Sequence, residues 1–495
     1  MLSDLWSGPR RRRVQAVLAL VGLAIVAWLA WPFVGLIGHV QEVAALVRLA
    51  PDVLGLTGPK TYLILVQNED ELRPTGGYIT AAGTATVHFG RITNLSIEDV
   101  FAIDDLKLNY PLPPQPLQEY MNAHIWLLRD SNWSPDFPTS AALAQALYTA
   151  TRPKKIDGVV ALDQASLRIM LEATGPLSVN GFPTPINAGN LDQMLRAARE
   201  PGPGQTVSYD WWLHRKDFMP AVAAAMLHRV VWANWGSLLH GALLALDERH
   251  VLLTLTDPPA AAILAQHGWD GRLQPGRGDY LMLVEANVGF NKVNADEQTR
   301  LSYAVDLSSA ARPTALLTLS QTNPAAGQLP CQPGPNYGSG RYADLIARCY
   351  WSYDRIYTPR GTALLAATPH DEQAAWMIRN QPVTGTVTVA AGENGTQSFG
   401  TLVVVPFSTT ITTTFQYALA PGALTPDAGA ATYTYALHLQ KQPGTAALPV
   451  TLSVRLPTGA SLLAAPPGGR QQGDTWQVDL ALSEDVNLEL RFSHP

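Results

Sequence analysis

The stretch that decides the fold is Ile156–Pro176, IDGVVALDQASLRIMLEATGP. Val159–Leu162 reads as a buried strand. Asp163 is a natural helix N-cap, Leu167, Met170 and Leu171 fall at helical spacing, and Gly175 stands where a C′ residue belongs. Leu177–Val179 supplies a returning strand, so the segment predicts a βαβ-like unit. Working outward, strands are expected at Tyr62–Val66, Tyr78–Val87, Arg91–Val100 and Val251–Thr256. Helices are expected at Ser140–Tyr148 and Asn190–Arg199, with helical spacing again over Phe218–Leu246. This is an α/β (α+β) pattern, assigned to residues 59–275.

After about residue 279 the pattern changes. Strand-like runs follow at Tyr280–Val284, Arg300–Asp306, Thr314–Gln321, Thr384–Ala390, Gly400–Pro406, Thr409–Leu419, Ala431–Gln440, Val450–Leu456, Thr475–Leu482 and Val486–Phe492. Short strands divided by Pro and Gly turns predict a β-rich part over 276–394 and an all-β sandwich-like domain over 395–495.

The N-terminus reads as an anchor. Arg10–Arg13 precede Val14–Gly38, in which Gln15 is the only strongly polar residue; such a run spans a hydrocarbon core of roughly 30 Å. The positive-inside rule then places a basic tail, 1–13, in the cytoplasm, a transmembrane helix at 14–38, a juxtamembrane helix at 39–58 and the bulk of the chain outside the cell membrane. The 495 residues, 47% hydrophobic and 15% charged, exclude a disordered chain, and a net charge of −6 gives no footprint for nucleic acid. The two cysteines, Cys331 and Cys349, are expected to form one disulfide.

Three segments carry candidate chemistry. In KTYLILVQNEDELRPTGGYIT, 60–80, the acids Glu69, Asp70 and Glu71 read chiefly as surface charges. Gly76 and Gly77 mark positive φ or a close backbone approach, to a chain segment or an anion. Arg73 is the best single anion ligand, with a structural salt bridge as the alternative. In LRDSNWSPDFP, 128–138, Asp130 and Asp136 with Asn132 form an oxygen set suited to a hard cation, the alternative being an Asx-turn loop. In WWLHRKD, 211–217, Arg215 and Lys216 suit an anion site or a solvated face. The histidines lack metal spacing, and no nucleotide, zinc-protease or serine-hydrolase fingerprint is present.

NEDELRPTGGYI, RDSNWSPDFPTSA, IDGVVALDQASLRIMLEATGP and GDYLMLVEANVGFNK, in this order, resemble the bacterial domain-of-unknown-function family 4012 over 59–370. Its members are mostly membrane-anchored. More distantly, the order of an arginine-bearing strand end, an R-D loop, a helix and the 156–179 segment is similar to the LytR-CpsA-Psr phosphotransferases. That resemblance implies transfer of glycopolymers from a polyprenyl pyrophosphate, with arginines on the pyrophosphate and aspartates on Mg²⁺. It points to Arg73, Arg129 and Arg215 as phosphate ligands and to Asp130 as a metal ligand. Pro74 stands where that family has an acid, and HRKD is sparser than its arginine cluster. Two functions are therefore expected in competition: a cell-envelope protein binding or transferring lipid-linked phosphorylated glycans, or a non-enzymatic surface binding or structural protein.

Overall fold

Strand β1 (Lys60–Asn68) is the pivot of the first sheet in the computed structural model, which describes residues 40–493 except 203–204, 206, 209–210, 212–213, 231–232, 328–329, 335–339 and 428–430. It pairs antiparallel with β2 (Tyr78–His88) and parallel with β4 (Gly158–Leu162). Strands β3 (Arg91–Asp99) and β5 (Val251–Leu255) complete the order β3-β2-β1-β4-β5. A parallel pair needs a crossover, and this one passes through helix α2 (Phe137–Thr151) after α1 (Val40–Val53) has opened the chain. Alternation along β1 feeds two cores. Leu63 and Leu65 meet Phe137, Ala141 and Ala144 of α2 on one face; Tyr62 and Ile64 meet α1, α6 (Trp235–Asp247) and α7 (Pro258–His267) on the other. Helices α3 (Gln164–Thr174), α4 (Leu191–Ala198) and α5 (Met219–Val230) pack around a further core of Leu171, Leu191, Leu195 and Val222.

The deciding stretch folds largely as its residues dictate. Asp163 accepts from the Ser166 amide at 2.8 Å, and Gly175 ends α3 at φ 82°. The returning strand is absent: Leu177 makes a single bridge to Ile186, and the neighbour of β4 on the side away from β1 is the antiparallel β5.

Two expectations are corrected. The transmembrane span 14–38 and the basic tail 1–13 lie outside the described residues, and among the described residues no helix is long and apolar enough to cross a membrane. Helix α1, expected beside a bilayer, buries Ala45 and Leu49 against protein, and the Tyr62 hydroxyl donates to its C-terminal carbonyls at Asp52 and Val53. No described element carries the anchored architecture or the extracytoplasmic placement drawn from it.

The second correction concerns the β-rich part. Its strands are β6 (Asp279–Val284), β7 (Gln298–Asp306), β8 (Thr314–Asn323), β9 (Tyr350–Pro359), β10 (Ala363–Ala367), β11 (Thr388–Ala391), β12 (Thr396–Val405), β13 (Thr409–Ala418), β14 (Leu424–Pro426), β15 (Thr432–Leu439), β16 (Leu448–Arg455), β17 (Ser461–Ala464), β18 (Arg470–Gln472), β19 (Thr475–Leu482) and β20 (Val486–Ser493). One sheet runs β10-β13-β8-β7-β16-β19-β18; the other runs β11-β12-β9-β6-β15-β20-β17, with β14 on β15. Because β6 pairs parallel with β15 and β7 with β16, strands before and after residue 395 share both sheets. They also share one core, in which Tyr303, Leu317 and Ile356 pack with Phe415, Leu452 and Phe492. The sandwich is therefore built from 279–493, and 395 is not a fold boundary. Cys331 and Cys349 form the expected disulfide ahead of β9.

Candidate functional site

The β1–β2 loop, 69–77, is pinned from inside. Gln67 donates through Nε2 to the Thr75 carbonyl at 2.8 Å, and its Oε1 accepts from Thr75 Oγ1 at 3.1 Å and Asn132 Nδ2 at 2.7 Å. Asn132 also donates to the Gly77 carbonyl at 2.8 Å, which fastens the 3-10 segment Leu128–Trp133 onto the loop. That fastening brings Arg129 and Asp130 to Arg73.

Arg73 is 1% exposed. Its guanidinium lies 3.1 Å from Glu71 and 3.3 Å from Asp130, and it donates to the Asn287 carbonyl of the sandwich. Burial alone would depress this guanidinium, but Glu71 and Asp130 outweigh it and hold it above its ordinary value. Glu71 has Lys292 at 2.7 Å as its second partner; burial raises its carboxyl, and Lys292 with Arg73 brings it below the usual range. Arg73 is thus a buried clamp between loop and sandwich, not a free anion ligand.

Three further cations stand one layer out. Arg129 lies 4.6 Å over the Phe101 ring, 3.7 Å from Asp104 and 3.9 Å from Asp130. The same ring carries Arg215 at 6.0 Å and Lys216 at 5.6 Å. Lys216 is 3.1 Å from Asp99 and donates to the Thr80 carbonyl at 2.9 Å. Burial pulls its ammonium down to about 7, against Asp99; Arg215 is likewise depressed, first by burial. Arg199, at the end of α4, adds positive potential to Arg215, Lys216 and Lys292. Its buried Nε has no hydrogen-bond partner among the described residues. Burial pushes the Asp104 carboxyl up to about 6, against Arg129. Five cationic side chains (Arg73, Arg129, Arg215, Lys216, Lys292) thus face four carboxylates (Glu71, Asp99, Asp104, Asp130) around the Tyr78 and Phe101 rings, and Arg199 stands over the Tyr342 ring at 5.9 Å.

Behind this cluster, between the sheet and α1, α3, α5 and α6, lies a cavity of about 680 Å³ with almost wholly apolar walls. Ile64, Leu95, Ile97, Met170, Val222 and Met226 are among its lining residues, and Gln67, Thr80 and Arg199 are among its few polar ones. Thr80 is the residue whose carbonyl anchors Lys216, so the apolar cavity and the cationic cluster share a wall.

Of the residues singled out in the sequence, Arg73, Arg129, Asp130 and Arg215 come together. Asp136 does not join them: it caps α2 by accepting from the Thr139 amide at 3.3 Å, and its other oxygen accepts from Leu273 N and Asn394 Nδ2. Asp130 is already shared by two guanidiniums. The Asp130/Asp136 donor set therefore does not fit Mg²⁺, and among the described residues no group of three or more His, Cys, Asp or Glu side chains could hold a metal. The amides of Gly76 and Gly77 are directed to the Arg73 carbonyl and Gln67 Oε1, so the glycine pair shapes a turn. A Cβ on Gly77 would lie 2.3 Å from the Asn68 carbonyl carbon. Sequence reasoning missed Arg199, Asp99 and Asp104, which lie outside the quoted motifs, and Lys292, which closes the GDYLMLVEANVGFNK motif but was given no role. The one available signal was Phe101 between Asp99 and Asp104, an aromatic flanked by acids after a strand.

Residues 57–199 match a family described as "Protein of unknown function (DUF4012)". The match supports the expected kinship over that segment, shorter than the 59–370 drawn from the motifs. No curated protein matches the chain. Among solved structures the chain is similar to a candidate nutrient-binding protein from Legionella pneumophila, at 10% identity, 43% of this chain, 71% of that one and a TM-score of 0.28. It is also similar to the Lin1025 protein from Listeria innocua, at 11%, 43%, 79% and 0.25, and to the gbs0355 protein from Streptococcus agalactiae, at 12%, 46%, 79% and 0.26. At these identities and scores the likeness assigns no function.

Proposed function

We propose that this chain binds an amphiphilic anion, with an extended apolar chain in the cavity beneath the first sheet and a phosphate or pyrophosphate head on Arg129, Arg199, Arg215 and Lys216. The observation that carries the reading is the shared wall: an apolar cavity of about 680 Å³ is bounded at Thr80 and Arg199 by the cationic cluster. A cavity of this size and lining suits an apolar ligand fixed by a few polar groups at one end. Guanidiniums stacked on a ring are held in place, and a phosphate would compete with Asp104 and Asp130 for the Arg129 fork. A lipid-linked phosphorylated glycan of the polyprenyl class meets both demands.

Transfer from such a carrier to an acceptor is the finer form of this reading. Arg129, Arg215 and Lys216 would hold the charge that develops on the phosphoryl oxygens. Arg73 is a positioning residue that keeps Asp130 and Glu71 in place. Binding without chemistry is favoured by one observation: Asp130 already lies 3.3 Å from Arg73 and 3.9 Å from Arg129, tied into ion pairs within the protein.

The test is titration of the full chain with geranylgeranyl pyrophosphate, inorganic pyrophosphate and geranylgeraniol. The whole amphiphile is expected to bind more tightly than either part. Equal affinity for the alcohol and the pyrophosphate ester, or no binding of the ester, would overturn the reading.

A further inference from the structure

A second cavity lies on the other side of the β1–β2 loop. Residues of that loop divide between the two sites: Glu71 and Arg73 belong to the cationic cluster, whereas Glu69, Asp70 and Leu72 line a cleft of about 700 Å³ between the first sheet and the sandwich. The α/β wall adds Arg168 of α3, Asp192 and Arg196 of α4, and His250 at the start of β5; the sandwich adds Glu285, Glu297, Arg300 and Lys441. Unlike the first cavity, this one has walls of mixed charge.

Its charged groups are tied in fixed pairs. Arg196 grips Asp70 through Nε at 3.3 Å and a terminal nitrogen at 3.0 Å, and Arg168 lies 2.9 Å from both oxygens of Asp192. At the base sits a histidine with a buried orienting acid. Asp163, 1% exposed, holds His250 Nδ1 at 2.7 Å with one oxygen and caps α3 with the other. Asp163 thereby occupies Nδ1 and leaves Nε2 for a second partner. Nε2 makes no hydrogen bond to a described residue; the carboxylate of Glu248 lies 3.7 Å away. Beside it the buried Lys441 ammonium donates to the Glu248 and Gln442 carbonyls.

We infer that this cleft binds a neutral polyhydroxylated ligand, an oligosaccharide in chemical class, with His250 Nε2 on one of its hydroxyls. Paired carboxylates and guanidiniums offer donors and acceptors side by side, and a sugar hydroxyl is both. Burial raises the Glu69, Glu285 and Glu297 carboxyls, which favours their protonated form and gives hydroxyl ligands donors as well as acceptors. Ala446, Ala447, Leu448 and Pro449 supply apolar surface for sugar C–H faces. This goes beyond the amphiphile reading and does not depend on it.

The test uses the full chain with two neutral trisaccharides, maltotriose and the N-acetylglucosamine trimer, beside spermidine and inorganic pyrophosphate. Binding is followed by ligand-observed NMR and by hydrogen exchange. At least one trisaccharide is expected to bind and to protect 68–72, 163–168, 248–251 and 439–445. H250N and the rim variant R168A are expected to weaken it by about tenfold, roughly one charge-assisted hydrogen bond, while pyrophosphate binding is unchanged in R168A. R168A removes only a rim side chain and so remains informative if H250N fails to fold. Spermidine binding in the cleft without either sugar, protection elsewhere, or undiminished sugar binding by R168A and a folded H250N would overturn the inference.

Discussion

Lys216 offers a quantitative handle on the cationic site. Its ammonium sits near 7 because burial outweighs the help of Asp99. An anionic head group stabilises the charged form, so binding draws a proton onto Lys216 and raises its pKa in the complex. Affinity is then full below pH 7 and falls by up to about tenfold per pH unit above it, until the pKa of the complex is reached. Between pH 7 and 9 the loss is at most about a hundredfold. A phosphate monoester, with a second pKa of about 6, stays dianionic across this window, and Asp104 titrates below it. Lys292, also depressed, chiefly by burial, is the other amine of the cluster and is held up by Glu71. K216M therefore separates the two. Calorimetry with geranylgeranyl phosphate in buffers of different ionisation enthalpy reads both slope and proton uptake. Wild type is expected to take up close to one proton at pH 8; K216M is expected to bind about tenfold more weakly at pH 7 and with a flat profile. A flat wild-type profile, or the same slope in K216M, would refute the reasoning.

Three further outcomes follow from the packing. A223F places a ring in the apolar cavity and is expected to abolish binding of geranylgeranyl pyrophosphate while inorganic pyrophosphate still binds, measured by the same titration. R73M strands Glu71 and Asp130 without their shared guanidinium; breaking a buried pair of this kind costs about 3–5 kcal/mol, read as a shift in the denaturant midpoint at pH 7. D279N tests the buried hydroxyl network in which Tyr303 and Tyr435 donate to Asp279 at 2.6 and 2.7 Å. Burial raises that carboxyl to about 6, so the folded state holds a proton the unfolded chain has released between about pH 4 and 6, and wild type loses stability as pH rises through that window. D279N should lack this loss; identical pH–stability curves would contradict it.

Local signals carried much of the fold. Asp163 and Gly175 marked the ends of α3 because capping is a property of a few adjacent residues. Strand β9 was missed although nine of its ten residues are buried, because Ser352, Asp354 and Arg355 interrupt its apolar pattern. Those polar groups are only partly satisfied: Gln321 and Ser352 donate to Asp354 Oδ1 and Arg355 donates to the Trp133 carbonyl, while Asp354 Oδ2 and Arg355 Nε have no hydrogen-bond partner among the described residues. The boundary at 395 failed for a related reason. Parallel pairing of β6 with β15 and of β7 with β16 is long-range, and strand periodicity does not encode partners. At the site, Arg73, Arg129 and Arg215 were legible as arginines near turns, but their roles were not. Burial made Arg73 a clamp, while the depressed Lys216 and the half-satisfied Arg199 depend on neighbours 100 or more residues away.

The most direct measurement is an experimental structure of the full chain bound to geranylgeranyl pyrophosphate. The isoprenoid chain is expected between the first sheet and α5, against Val222 and Met226, with the pyrophosphate on Arg215, Lys216 and Arg199. A ligand seated in the polar cleft at His250, or a pyrophosphate held away from the Phe101 ring, would contradict it.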